Sequence, residues 1–321
     1  MLKITIIGRF LSQQEKWTGS DSGGTDFGNH LLYPRQALVD FLNAQGCRLY
    51  SRAELAPECA DALIVDDLDH DLWRYVQTLP VELPKLLICC ESPSYALESH
   101  DPQVLSDPTW SQIMTWNRTI SGPNVTHYDI AVTGTQLDVW TPDDFSPRKP
   151  KGVIVISCRL YEEFRGLVFP RTAFCTALAD AGHIDVYGKG WPVQPGKGLM
   201  GPSANKLQTI SQYRFALAIE NSIDDGYVTE KLPDCILALT PTIYLGDFTT
   251  AQRRYPNTFV QLRGLTVDSF LDAKFRLDDE YPALQAAVQA ARNRSSTWCD
   301  SVHQTFRDTF LKLPMREGRH P

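Results

Sequence analysis

The sequence predicts an α/β protein of two Rossmann-like domains, each a parallel sheet wrapped by helices. Three observations predict it. Short apolar runs recur along the chain and are continuous rather than alternating, the pattern of strands buried on both faces. Helix-like stretches separate several of them, which gives the βαβα rhythm of a parallel sheet. The length, 321 residues, is more than one hydrophobic core usually organises, so the chain divides.

The strand candidates of the first half are LKITIIG (residues 2–8), DALIVDD (61–67), KLLICCE (85–91), QIMTW (112–116) and HYDIAV (127–132). Those of the second half are GVIVISC (152–158), IDVYG (184–188), FALAIE (215–220), PTIYLG (241–246) and TFVQL (258–262). The spacing predicts helices over 32–46, 171–182 and 229–240, the first two running to Gly46 and Gly182. A glycine there can take the left-handed conformation that stops a helix. The stretch TPDDFSPRKPKG (141–152) has three prolines, mixed charge and no apolar period, and reads as the interdomain linker. The expected domains are residues 1–145 and 146–321, the latter with a C-terminal helical region.

Composition narrows the function. With 43% hydrophobic and 21% charged residues, the chain is that of a folded protein, not a disordered one. A net charge of −7 argues against a general nucleic-acid binder, though a few lysines and arginines suffice for a small anion. The start, MLKITIIGRF, is too short an apolar run for a secretory signal, and no stretch reaches the ~18 apolar residues of a spanning helix. A soluble, cytoplasmic protein with no membrane segment is expected. The eight cysteines show no C-x-x-C or Cys/His spacing. Cys89, Cys90, Cys158, Cys175 and Cys235 read as reduced, buried thiols. DDLDHDLW (66–73) has D-x-D spacing, but N-capping and solvation explain it, and no metal is expected.

One polar stretch interrupts the core. ENSIDDGYVTEKL (220–232) lies between the apolar runs FALAI and CILAL, as a loop leaving the carboxyl edge of a parallel strand for a helix. Open α/β sheets bind ligands at that edge. Thr229 is the expected N-cap, Pro233 falls in the first turn, and Gly226 permits a tight turn. Lys231 sits where the helix dipole favours an anion, and a bound phosphate would resolve the conflict. Glu230 can accept hydrogen bonds from a ribose diol or face a developing positive charge, and Tyr227 can stack or donate its hydroxyl. The alternative is a solvated loop with a surface Glu–Lys pair.

The segment YRFALAIENSIDDGYVTEKLPDCILALTPTIYLGD (213–247) resembles the signature of the family 10 α-1,3/4-fucosyltransferases, loosely Y-K-F-x-L-x-x-E-N-S, Y-V-T-E-K and P-x-Y-x-G. The resemblance implies a GT-B fold with the two sheets facing across a cleft, and GDP-fucose held mainly by the C-terminal domain. It implies inverting transfer of fucose to an acceptor hydroxyl, with no cofactor and no obligatory metal. RTAFCTAL (171–178) is similar to the family segment carrying a phosphate-contacting arginine, which points to Arg171, with Arg159 and Arg165 behind it. A guanidinium suits pyrophosphate because its planar fork donates two parallel hydrogen bonds; a helix-surface arginine paired with a local acid is the other reading. CCESPSY (89–95) resembles the E-S-P segment of the acceptor domain. It makes Glu91 the candidate base, against a strand-end carboxylate capping Ser92 or a nearby helix.

The resemblance thus implies Glu91, Glu230 and Lys231 as catalytic. Arg171, Glu220, Asn221, Ser222, Tyr227, Thr229, Glu230, Lys231 and Tyr244 would hold the donor. Asp26 and His30, in the glycine-rich stretch 18–34, are reserve bases. The chain departs from the family at Leu245, where a tryptophan is usual, and shows little resemblance beyond residue 250. The implied partners are GDP-fucose and an acceptor oligosaccharide, by the family's habit at O3 of N-acetylglucosamine in a β-galactosyl-N-acetylglucosamine unit. Another nucleotide sugar such as GDP-mannose, or a non-catalytic sugar-nucleotide-binding module, are the rival readings.

Overall fold

The structure, a computed structural model, describes residues 1–8, 33–130, 144–145, 148–156, 166–294 and 300–314. Asp26, His30, Cys158, Arg159, Arg165 and much of the expected linker lie outside the described residues. The described residues form two compact units, one of 1–8, 33–130 and 300–314 and one of 144–294.

The first unit is a six-stranded sheet in the order β2-β1-β3-β4-β5-β6. Its strands are β1 (Leu2–Gly8), β2 (Cys47–Ser51), β3 (Ala62–Asp66), β4 (Lys85–Cys89), β5 (Gln112–Thr115) and β6 (Val125–His127), all paired in parallel. Every residue of β3 and β4 is buried, which is why these strands are continuously apolar. Helix α1 (Tyr33–Ala44) ends before Gly46, whose φ of 69° is the expected left-handed stop. Helix α2 (His70–Thr78) is capped by Asp69, whose Oδ1 accepts the Leu72 N–H at 2.9 Å.

The second unit repeats the architecture, in the order β12-β11-β10-β7-β8-β9 and again wholly parallel. Its strands are β7 (Lys149–Val155), β8 (Ile184–Tyr187), β9 (Leu199–Gly201), β10 (Tyr213–Ile219), β11 (Thr242–Leu245) and β12 (Phe259–Gln261). Five of its helices are α3 (Val168–Asp180), α4 (Lys206–Ser211), α5 (Lys231–Leu237), α6 (Phe248–Arg254) and α7 (Val267–Asp279). Because β8 and β9 lie on one side of β7 while β10 lies on the other, the strand order reverses between β7 and β10, a topological switch point. Strand β10 alternates by size. Phe215, Leu217 and Ile219 enter one core and Ala216 and Ala218 the other, and the small residues let the helix α5 side approach closely.

Several expectations change. Part of the supposed linker, residues 149–152, is strand β7. The helix expected over 229–240 is limited to Lys231–Leu237, and its N-cap is Glu230, not Thr229. The C-terminal helix α8 (Asp300–Phe310), expected in the second domain, groups with the first unit. Phe306 and Phe310, four apart on one helix face, stack at 6.0 Å and meet the Phe41 ring edge-on at 6.1 and 6.2 Å. No helix among the described residues is long and apolar enough to cross a membrane.

Candidate active site

The segments that interrupt the second unit's core converge on one carboxylate. Glu220 follows β10 and is fully buried. Its Oε1 accepts the Thr229 N–H at 2.9 Å and the Tyr244 hydroxyl at 3.4 Å. Its Oε2 accepts the Thr229 hydroxyl at 2.6 Å and pairs with Lys231 Nζ at 3.2 Å. Thr229 does not cap the helix: its hydroxyl donates to Glu220, and its oxygen accepts from Lys231 Nζ at 2.9 Å. Burial of so many polar atoms is tolerated because each is hydrogen-bonded. Lys231 is therefore neutralised in place by carboxylates, and its position in the first turn does not by itself require a phosphate.

Tyr244 is wholly buried, with its ring against Phe259, and Tyr227 is buried as well. Burial and the Glu220 charge push the Tyr244 hydroxyl well above the usual tyrosine range. Gly246 is needed at this point. A Cβ there would run into the Tyr244 hydroxyl and come within 2.7 Å of Glu220 Cγ. Gly246→Ala is accordingly expected to lower stability by about 1–3 kcal/mol, the scale of overpacking, and to reduce activity; a melting curve and a turnover assay check it.

The cluster continues beyond the residues singled out from sequence. Glu230 Oε1 lies 3.6 Å from Lys231 Nζ and 3.6 Å from the Nζ of Lys206. Lys206, at the start of α4, pairs with Asp234 of α5 at 2.7 Å, and both are buried. Charges thus alternate along Glu220, Lys231, Glu230, Lys206 and Asp234. Burial alone would raise the Glu230 carboxyl, but Lys231 and Lys206 outweigh it and hold it down to about 2. Burial works against both lysines too, yet Glu220 and Glu230 keep Lys231 above its ordinary value, and Asp234 and Glu230 do so for Lys206. Lys206 was legible by the argument that picked out Lys231, a cation in a helix's first turn.

These shifts fix a pH dependence. A carboxyl lowered from 4.5 to about 2 contributes stability that is present above its unfolded value and lost as pH falls toward the folded one. Urea midpoints measured from pH 7 down to pH 3 are expected to fall more steeply for the wild type than for Glu230→Gln, by about 3 kcal/mol at most. Parallel curves would show that Glu230 is not held by its cations.

Arg171 is nearly buried and turned inward. Its Nη1 donates to Ile219 O at 2.9 Å, Glu220 O at 3.2 Å and Asn221 Oδ1 at 3.0 Å. It ties α3 to the carboxyl end of β10, a different setting from a helix-surface arginine. Ser222 donates its hydroxyl to Asp224 Oδ2 at 2.5 Å, and Gly226, at φ 95°, donates its N–H to Asp247 Oδ2 at 2.8 Å. A cavity of about 10 Å³ lies beside Lys206 and Lys231. It has room for about one water, so a ligand the size of a nucleotide sugar does not sit inside it.

In the first unit, Glu91 lies just past β4 and is half-buried. Its N–H and that of Cys90 each donate at 2.9 Å to the two oxygens of Asp67, a buried residue whose backbone is left-handed at φ 57°. His100 Nε2 meets Glu91 O at 2.8 Å. The backbone of the candidate base is thus pinned from both sides. Asp66 and Asp67 are buried at the end of β3, not solvated as DDLDHDLW suggested; only Asp69 does the capping. Burial, Asp66 and Glu91 together push the Asp67 carboxyl well up. Ligand atoms of Asp66, Asp67 and Cys90 lie within 4.8 Å of one another, and the Cys90 thiol donates to Asp66 Oδ1 at 3.2 Å.

Comparison with known proteins bears on this arrangement. Residues 147–273 match the family model described as glycosyltransferase family 10 (fucosyltransferase) C-term. Alpha-(1,3)-fucosyltransferase 4 of Bos taurus is 32% identical over 117 residues, 36% of this chain and 28% of the relative. Alpha-(1,3)-fucosyltransferase FucT of Helicobacter pylori is 41% identical over 58 residues, 18% of this chain and 12% of the relative. The matches therefore span under a third of these curated relatives' own lengths. The solved structure of an alpha1,3-fucosyltransferase with GDP-fucose is 14% identical, covers 99% of this chain and 92% of its own, and superposes with a TM-score of 0.56. That likeness extends over both units and establishes the GT-B class of the fold. The family 10 resemblance carried by residues 213–247 is thus matched by a family model over residues 147–273.

Proposed function

We propose that this protein is an α-1,3-fucosyltransferase that moves fucose from GDP-fucose to a hydroxyl of an acceptor glycan with inversion. The observation that carries the reading is the convergence of the Glu-Asn-Ser, Thr-Glu-Lys and Tyr-Leu-Gly segments on Glu220 at the switch-point edge of a family 10 domain. The relatives' α-1,3 activity and the neighbour's bound GDP-fucose support the same choice of donor and linkage.

In this mechanism Lys231 stabilises the leaving diphosphate. An ammonium has three donor protons. Thr229 Oγ1 at 2.9 Å and Glu220 Oε2 at 3.2 Å account for two. The 3.6 Å separation from Glu230 is longer than a hydrogen bond, which leaves the third for a phosphate oxygen. Glu230 faces the ribose or the fucose ring, where positive charge grows as the C1–O bond to GDP breaks. Asn221 and Ser222 border the donor, while Arg171, Glu220, Thr229, Tyr227 and Tyr244 hold the bed on which it lies. Glu91 takes the proton of the attacking hydroxyl. Preorganised charge of this kind is worth most in a site that excludes water.

Incubation with GDP-fucose and N-acetyllactosamine tests the reading, with the product linkage read by NMR. Fucose on O3 of N-acetylglucosamine is expected. Turnover of GDP-mannose in its place, or hydrolysis of GDP-fucose with no transfer to any glycan offered, would overturn it.

A further inference from the structure

We infer that Lys206, anchored by Asp234, is a positioning residue for Glu230: it fixes where the Glu230 carboxylate points. The role of Glu230 rests on the function proposed above; the placement by Lys206 does not. Glu230 Oε1 lies at 3.6 Å from each of two ammonium groups. One, Lys231, belongs to the same turn of chain and is itself held by Glu220 and Thr229. The other, Lys206, comes from a different helix and reaches Glu230 from inside the fold, its side chain 3% exposed against 20% for Glu230. Glu230 is therefore the outer member of a chain whose inner end is a buried ion pair.

A buried pair is a costly way to join two helices, since apolar residues of similar volume serve stability as well or better. The Lys206–Asp234 pair, 2.7 Å long, joins α4 to α5 where its cation also lies 3.6 Å from the less buried Glu230 carboxylate. The charged groups around Glu230 are Lys206 from α4, Lys231 and Asp234 from α5, and Glu220 at the end of β10. Arg171, from α3, acts on Lys231, and Cys235 lies against Lys206. Of these, the two lysines favour the ionised carboxylate, and burial opposes it. Removing Lys206 takes away one of these two cations, the one that reaches Glu230 from a different helix.

The test uses the full chain with ¹³C-carboxyl-labelled glutamate, the Glu230 signal being the one lost in Glu230→Gln. The variant Lys206→Gln/Asp234→Asn replaces the ion pair by two amides that can hydrogen-bond, so no buried charge is stranded. Lys206→Met/Asp234→Leu, an apolar pair, serves if the first does not fold, and Lys206→Arg keeps the cation. In the wild type the Glu230 carboxyl is expected to stay ionised down to pH ~4, below the ordinary glutamate value. In the neutral variant its midpoint should rise by about one unit, a tenfold gain in proton affinity. Turnover should fall about tenfold with KM for GDP-fucose within about twofold, the pattern of a contact that matters in the transition state. Lys206→Arg should titrate as the wild type does. A folded neutral variant with wild-type titration and wild-type turnover overturns the inference, because a merely structural pair would give that result. If the midpoint shifts while the wild type never turns over GDP-fucose, the positioning stands and the proposed function falls.

Discussion

Lys231→Met is expected to lower fucosyl transfer by about 10²-fold or more, the scale of removing one preorganised electrostatic donor, and to destabilise the fold by about 3–5 kcal/mol. The stability loss follows from Glu220. That carboxylate is fully buried, and Lys231 is the cation paired with it at 3.2 Å, so methionine leaves it uncompensated. Activity and stability would fall together, and one variant alone cannot separate them. Adding Glu220→Gln removes the stranded charge and retains an acceptor oxygen for Thr229. The double variant is expected to recover most of the melting temperature while staying about 10²-fold slow. Recovery of both stability and turnover would show that Lys231 serves the fold alone.

Glu91→Gln is expected to lower transfer by about 10²–10⁴-fold, the range for a positioned general base, and to leave GDP-fucose binding within about twofold. The substitution is nearly isosteric, and the Glu91 backbone contacts, through its N–H to Asp67 and its carbonyl to His100, do not involve the carboxylate. A melting curve establishes that the variant folds as the wild type does, and a loss of rate is then assigned to the missing base. Titration of the variant with GDP-fucose, followed by single-turnover kinetics, separates binding from chemistry. If donor binding is lost instead, Glu91 is not the base.

Much of the architecture was legible in the sequence because interior parallel strands are buried on both faces. Strands β3, β4, β10 and β11 each read as an unbroken apolar run and each is where it was expected. The strands that went unseen are edges. CRLYS (Cys47–Ser51) is only partly buried and LMG (Leu199–Gly201) is three residues long. Both have a single neighbour and little need of continuous apolarity. The run 127–132 was misplaced because strand β6 ends at His127, where the pairing with Thr115 ends and the Tyr128 side chain turns in to Cys89 O at 2.7 Å.

The candidate site was legible as a location but not as a network. The sequence places Glu220, Thr229, Lys231 and Tyr244 in one neighbourhood, but it does not say that the first is the hub of the other three. Arg171 illustrates the ambiguity. A guanidinium can serve the oxygens of a pyrophosphate or the carbonyls at a strand end, and the Nη1 of Arg171 meets the latter. Asp234 gave no signal at all, because a carboxylate in a helix's first turn usually needs no partner beyond water and the dipole. Only the fold reveals that it is buried against Lys206.

Calorimetric titration of the purified, EDTA-treated protein with GDP-fucose, GDP-mannose and UDP-galactose tests most directly whether the Glu220–Lys231–Glu230 cluster is a GDP-fucose site. Selective binding of GDP-fucose by the wild type, weakened at least tenfold in the Glu220→Gln/Lys231→Met variant, is the predicted result. Equal affinity of wild type and variant for GDP-fucose, or preference for another nucleotide sugar, would contradict it.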